Sequence, residues 1–138
     1  MNHEYSCGAV LYTRRGEDIL YALVIERAGH CGLPKGHVEP GETERETTLR
    51  EIREEVGVAA RILDGFREEI EYSIGENTMK HVTYFLCEFD DQEMNPMPGE
   101  VREVRLLPFA DAAAALSHGN TKDVLRAGDA YIRNGHHS

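Results

Sequence analysis

Residues 36–58, G-H-V-E-P-G-E-T-E-R-E-T-T-L-R-E-I-R-E-E-V-G-V, decide how the rest of the chain is read. Gly36, Pro40 and Gly41 describe a tightly turning loop, and Thr43 opens a helix. Thr43 followed by Glu46 fits a capping box, in which a hydroxyl and a carboxylate satisfy backbone donors left free at a helix start. Gly57 is the stop, because glycine enters the left-handed conformation at a helix end without steric cost. At about 100° per residue, Leu49, Ile52 and Val56 share one stripe, and Glu51, Glu54 and Glu55 share another. One face is expected to pack, while the other gathers like charge.

Carboxylates three and four apart on a helix repel by roughly 0.2–0.5 kcal/mol per pair, and by more where water is scarce. A merely solvated acidic face is the bland explanation; a bound hard cation is the specific one. Mg2+ prefers carboxylate oxygens, keeps several waters and completes its shell with substrate phosphate. The surrounding glycines favour the cation, as does Arg50, spaced to neutralise Glu42 across the junction of loop and helix.

At every fixed position the stretch resembles the Nudix box: G, five residues, E, seven residues, then R-E-U-x-E-E-x-G-U with U aliphatic. Gly36, Glu42, Arg50, Glu51, Ile52, Glu54, Glu55, Gly57 and Val58 fill it. The resemblance implies a hydrolase that cleaves nucleoside diphosphates linked to another moiety by metal-assisted attack of water on phosphorus. It also implies Mg2+, with Mn2+ as a substitute, held by Glu51, Glu54 and Glu55, while Gly36, Glu42, Arg50 and Gly57 shape the loop and helix.

Composition bounds the rest. At 138 residues the chain is expected to form a single domain, 1–138, with a substantial core. No stretch approaches the ~20 apolar residues that span a bilayer, and MNHEYSCG lacks a basic segment followed by an apolar run, so a cytoplasmic protein is expected. A net charge of -10 argues against general binding to nucleic acid or an anionic membrane. Polyphosphate substrates then require metal ions and a few local cations. Cys7, Cys31 and Cys87 show no paired metal spacing, and their odd number fits buried hydrophobes in a reducing compartment.

Along the chain, Ser6 to Thr13 and Ile19 to Glu26 read as strands joined by a hairpin loop at residues 14–18. Arg27 to Lys35 reads as an irregular loop at the edge of the site, with Lys35 placed for phosphate and His30 and His37 flanking it. Arg67 to Ser73 and His81 to Phe89 read as strands about a hairpin at 75–80, the second sending Val82, Tyr84 and Leu86 to one face and His81, Thr83 and Phe85 to the other. Residues 90–99 read as a mobile acidic loop and 100–107 as a last strand. Two helices follow, the second capped by Asn120 or Thr121 and presenting Val124, Leu125, Tyr131 and Ile132, ahead of a disordered tail NGHHS. The resulting class is α/β, and the Nudix resemblance implies an α/β/α sandwich around a mixed sheet.

Beyond the box, L-P-K-G-H-V-E-P-G-E, F-R-E-E-I-E-Y and K-H-V-T-Y-F-L resemble the asymmetrical diadenosine tetraphosphate hydrolase branch of the family. That branch carries substrate-binding roles onto Lys35, His37, Tyr72, Lys80 and Tyr84. It implies Glu54 as the first choice of base and Glu100 as the second, with Glu51 also catalytic through the metal, and cleavage of the tetraphosphate to ATP and AMP. Two positions depart: Cys31 and Gly32 stand where a Trp precedes the Pro-Lys-Gly run, and Val104 stands where an aromatic opens the last strand. Both remove a ring for adenine to stack on. The alternatives within the family are a pyrophosphohydrolase of nucleoside triphosphates, ADP-ribose or inositol pyrophosphate, and outside catalysis a nucleotide sensor. The partner is a small nucleotide, and the protein is expected to be a monomer or small homo-oligomer.

Overall fold

The computed structural model describes residues 1–99 and 101–135. The order is β1 (Asn2–Arg15), β2 (Asp18–Glu26), β3 (Cys31–Gly32), β4 (Lys35–His37), α1 (Glu44–Glu55), β5 (Ala60–Ile74), β6 (Thr78–Phe89), β7 (Val101–Pro108), α2 (Phe109–Ala115) and α3 (Gly119–Arg133). Its backbone is a sheet ordered β3-β2-β1-β6-β5, with β4 added to β1 and β7 to β2. The β1–β6 pairing is parallel and the others antiparallel, so the sheet is mixed.

Strand alternation sorts the apolar side chains into two cores. Val10 and Tyr12 of β1, with Val82, Tyr84 and Leu86 of β6, meet Ala112 and Leu116 of α2 and Val124, Leu125 and Ile132 of α3. Ala9 and Leu11, with Phe85, Cys87 and Phe89, meet Ile52 and Val56 of α1 on the opposite face. Because β1 and β6 are covered on both sides, they read as continuous apolar runs. Helices on both faces of a mixed sheet make the α/β/α sandwich expected from the sequence.

Several expectations are refined. The loop at 27–35 contains β3 and the start of β4, because its backbone pairs with β2 and β1. Residues 60–74 form one long strand with a register break between Leu63 and Arg67, rather than a connector and a short strand. α3 begins earlier than expected: its N-cap is His118, without a side-chain cap bond. The Thr121 hydroxyl instead donates to the His118 carbonyl at 2.8 Å. Leu49 is only partly exposed and belongs to neither core, whereas Thr47, Thr48, Glu51 and Ile52 form the buried face of α1. The helix is rotated toward β4 and the loop at Gly36, which carries Glu51 inward. Cys7, Cys31 and Cys87 are free and buried, as expected. Of the NGHHS tail, residues 136–138 lie outside the described residues.

Candidate active site

α1 starts as its residues dictate. The Thr43 hydroxyl accepts from the Glu46 N–H at 3.1 Å, and the Glu46 carboxylate accepts from the Thr43 N–H at 2.9 Å. Arg50 then ties the preceding loop to the helix. Its Nε and Nη2 donate to the two Glu42 oxygens at 2.6 and 3.0 Å, and Nη2 also donates to the His37 carbonyl at 3.0 Å. Thr47 adds a hydroxyl bond to Glu42 at 2.8 Å. The Arg50 bond is the main reason the Glu42 carboxyl is held down at about 2, well below the usual range. This pair is a brace whose charges are already satisfied.

Glu51, Glu54 and Glu55 line one cleft of about 260 Å3, closed on its far side by Met97, Pro98, Gly99 and Val101. Glu51 is buried, and desolvation raises its pKa despite an Arg50 Nη1 bond at 2.8 Å. Gly36 is why it fits: a Cβ there would overlap the Glu51 carboxylate. Glu55 is pushed up to about 8, first by burial, with the Lys35 N–H at 2.9 Å opposing and the Glu51 charge adding to the rise. Glu54 is the more open of the three and faces Arg50 Nη1 at 3.3 Å. Among the described residues no three acidic, His or Cys side chains converge on a single point as a preformed metal cage. Yet the chemistry of the set fits a hard divalent cation: three clustered carboxylates, two of them costly to ionise without a neighbouring positive charge.

The loop at 90–99, expected to be mobile, is fastened to the end of α1. Met97 N–H donates to the Glu54 carbonyl at 2.8 Å and Asn95 N–H to the Gly57 carbonyl at 3.3 Å. Gly57 has φ +78°, and a Cβ on it would overlap the Asn95 backbone. The same glycine therefore stops the helix and admits the loop that walls the cleft. Glu100 lies outside the described residues.

A second cavity, about 340 Å3, opens on the α3 side and is lined by Lys35, Tyr72, Tyr84, His30, His118 and Asn120, among others. β4 positions Lys35 by pairing it with Gly8 of β1, where a Cβ would strike the Pro34 carbonyl and Lys35. Lys80 lies beside Lys35, and its pKa is lowered first by burial and then by that neighbouring charge. Two adjacent cations, one of them half-buried, suit an anion. Tyr72 is paired with Lys80 across β5 and β6. The Tyr84 hydroxyl is fully buried with no hydrogen-bond partner among the described residues. The His30 and His118 rings stack at 5.7 Å. Lys35, which lines this cavity, donates its N–H to the carboxylate of Glu55, which lines the first.

Six sequence candidates thus line the two cavities: Glu51, Glu54 and Glu55 in one, Lys35, Tyr72 and Tyr84 in the other, with Lys80 alongside. His37 is not. It is exposed on the sheet edge, 3.9 Å from Glu4, and lines neither cavity; only its carbonyl contributes, to Arg50. Sequence reasoning missed Glu26, His118 and Asn120 as lining residues: Glu26 enters from the end of β2 at a register slip that alternation does not show, and His118 and Asn120 enter from the start of α3, far from Lys35 in the chain.

The fold and this pair of cavities define a hydrolase of the Nudix class, and the comparisons agree: the NUDIX domain family model matches residues 2–127, and the chain belongs to that family. It is 33% identical to the asymmetrical bis(5'-nucleosyl)-tetraphosphatase of Sus scrofa over 92% of this chain and 94% of that one. The enzyme of the same name from Mus musculus is 32% identical over the same shares. In structure, the chain is similar to the C. elegans Ap4A hydrolase binary complex, with TM-score 0.86 and 24% identity over 95% of this chain and 98% of that one, which is a likeness of fold. Nudix hydrolases generally use divalent metal ions. No helix among the described residues is long and apolar enough to cross a membrane.

Proposed function

We propose that residues 1–138 form one Mg2+-dependent Nudix domain that hydrolyses dinucleoside polyphosphates, with diadenosine tetraphosphate cleaved to ATP and AMP. The observation that carries this reading is the Lys35 N–H bond to Glu55, which ties the carboxylate cleft to the lysine-bearing, aromatic-lined pocket beside it. A nucleoside polyphosphate has that sequence of parts. Its similarity to two curated tetraphosphatases supports the same substrate class.

Glu51, Glu54 and Glu55 are assigned to hold Mg2+, for which Mn2+ can substitute. When bound, the cation neutralises phosphate charge and acidifies the attacking water. Glu54, the most solvent-accessible of the three, is assigned the water's proton, with Glu100 as the second candidate. Lys35 and Lys80 hold the polyphosphate and stabilise the charge that develops on the leaving group. Tyr72 and Tyr84 contact the nucleotide, the latter through a hydroxyl that has no partner among the described residues. Gly36, Glu42, Arg50 and Gly57 keep the loop and helix in register. His37 serves through its carbonyl. The three buried free thiols are consistent with a cytoplasmic setting, and the acidic surface with a nucleotide partner rather than nucleic acid or membrane, the protein working as a monomer or small homo-oligomer.

The test is a substrate panel with Mg2+: diadenosine tetraphosphate, nucleoside triphosphates, ADP-ribose and a diphosphoinositol. The reading expects the dinucleoside tetraphosphate to have the highest kcat/KM. Preference for another member would move the chain to a different Nudix reaction, and no metal-dependent turnover of any would leave a nucleotide sensor.

A further inference from the structure

Glu26 ends β2 where the register of β2 against β7 slips, between Ile25 and Glu26. Such a bulge re-aims the side chain next to it. By simple alternation, Val24 faces the α1 core and Ile25 the α2–α3 core, so Glu26 would face α1. At the slip, the half-buried Glu26 lines the α3-side cavity together with Leu33, Tyr72 and Tyr84, and also borders a neighbouring pocket with Arg27, Ala28 and Gly99. Its charge is felt by Glu55 at the metal cleft and by Lys80 at the phosphate cradle. Its backbone is engaged, with N–H donating to the His30 carbonyl at 2.9 Å and C=O accepting from the Gly29 N–H at 2.8 Å. Among the described residues its carboxylate has no hydrogen bond or ion pair. An independent sign that a polar ligand belongs in this cavity is the buried, partnerless Tyr84 hydroxyl on its wall.

An ionised carboxylate only accepts hydrogen bonds. Phosphate offers it no donor and repels it. Along the cavity, phosphate belongs at Lys35 and Lys80, and the base belongs among the His30, His118 and Tyr72 rings. Between phosphate and base a nucleotide presents the ribose, whose two vicinal hydroxyls are paired donors.

We propose that Glu26 is a ribose-binding residue, accepting from the 2′ and 3′ hydroxyls of the nucleoside in this cavity and selecting ribonucleotides over deoxyribonucleotides. The inference rests on the nucleotide reading given above but adds a residue and a discrimination to it. The competing role for a carboxylate in this position is a further metal ligand, and the test separates the two.

Calorimetric binding of ATP, the expected product, is compared with that of 2′,3′-dideoxyATP for the wild type, Glu26→Gln and Glu26→Ala. Hydrogen bonds to a charged group predict that the wild type binds ATP about tenfold or more tightly than the dideoxy analogue. Both variants should shrink that ratio to within about threefold by weakening ATP alone. Equal weakening of both nucleotides overturns the proposal, as does a wild type that binds them equally. A change in the Mg2+-induced rise of Tm without nucleotide also overturns it and assigns Glu26 to the metal. A wild type that binds ATP with the expected discrimination but fails to cleave diadenosine tetraphosphate sinks the substrate reading and leaves this one standing; absence of nucleotide binding sinks both.

Discussion

Removing a negative charge from the metal cleft should stabilise the metal-free protein, which is an unusual direction for a substitution in an active site. The Glu55 carboxyl is held at about 8 by burial, against an ordinary 4.5. A group whose folded pKa is raised binds its proton more tightly in the native state, so stability falls as pH climbs from the unfolded value toward about 8, then levels off. At about 1.4 kcal/mol per pH unit the full gap is worth ~5 kcal/mol. Water reaching the partly exposed carboxylate cuts this to about 2–3 kcal/mol. Glu55→Gln removes the charge while its amide oxygen can still accept the Lys35 N–H. Urea unfolding in EDTA should therefore find the variant more stable by about 2–3 kcal/mol at pH 8.5, or roughly 5–12 °C in Tm, and little different at pH 5. Saturating Mg2+ should reverse the order, because it stabilises only a native state that can bind it. Equal stabilities at pH 8.5 in EDTA, or a variant that is weaker there, would refute the argument that this cleft is electrostatically frustrated without its cation.

Other expectations follow from the same geometry. Glu54→Gln should lower kcat by at least ~100-fold with Tm within a few degrees of wild type, since it removes a ligand or base and keeps its shape; turnover within a few fold of wild type would make the open carboxylate dispensable. Tyr84→Phe should leave the free protein as stable or more stable, because a buried unpaired hydroxyl costs about 1–3 kcal/mol, while raising KM for the nucleotide; a loss of stability in the free protein would mean that the hydroxyl is satisfied after all. Lys80→Met should reduce turnover without changing the product pair, and a shift toward ADP in chromatograms would instead make Lys80 the residue that sets the register.

The parts of the site that were legible in the sequence are those built by short-range spacing. Thr43 and Glu46 lie three residues apart and form their capping box; Arg50 meets Glu42 across one loop; Gly57 stops α1 with a positive φ. Alternation likewise sorted Val82, Tyr84 and Leu86 from Phe85 along β6. What the periodicity of α1 left open was its rotation. Leu49 lost its place in the core to Thr47 and Thr48 because Gly36 makes room for the Glu51 carboxylate, which turns that side of the helix inward. The nucleotide-side cavity was legible only in part, since Lys35 and Tyr72 are near recognisable runs whereas His118 and Asn120 enter from the start of α3, more than 80 residues from Lys35. For Tyr84 the strand pattern gave the face but not the depth, and depth is what leaves its hydroxyl without a partner among the described residues. The backbone latch from residues 95 and 97 to the end of α1 depends on main-chain donors, which every residue type supplies, so composition suggested only a mobile acidic loop there.

The central claim is that the carboxylate cleft directs water onto a phosphorus bearing a nucleoside while the lysines hold the departing triphosphate. The most direct measurement is hydrolysis of diadenosine tetraphosphate in H2(18)O with Mg2+, with early products separated and weighed by mass spectrometry. ATP and AMP in equal amounts, with the 18O in AMP, are the predicted result; ADP as the only nucleotide product, or label in ATP, would contradict it.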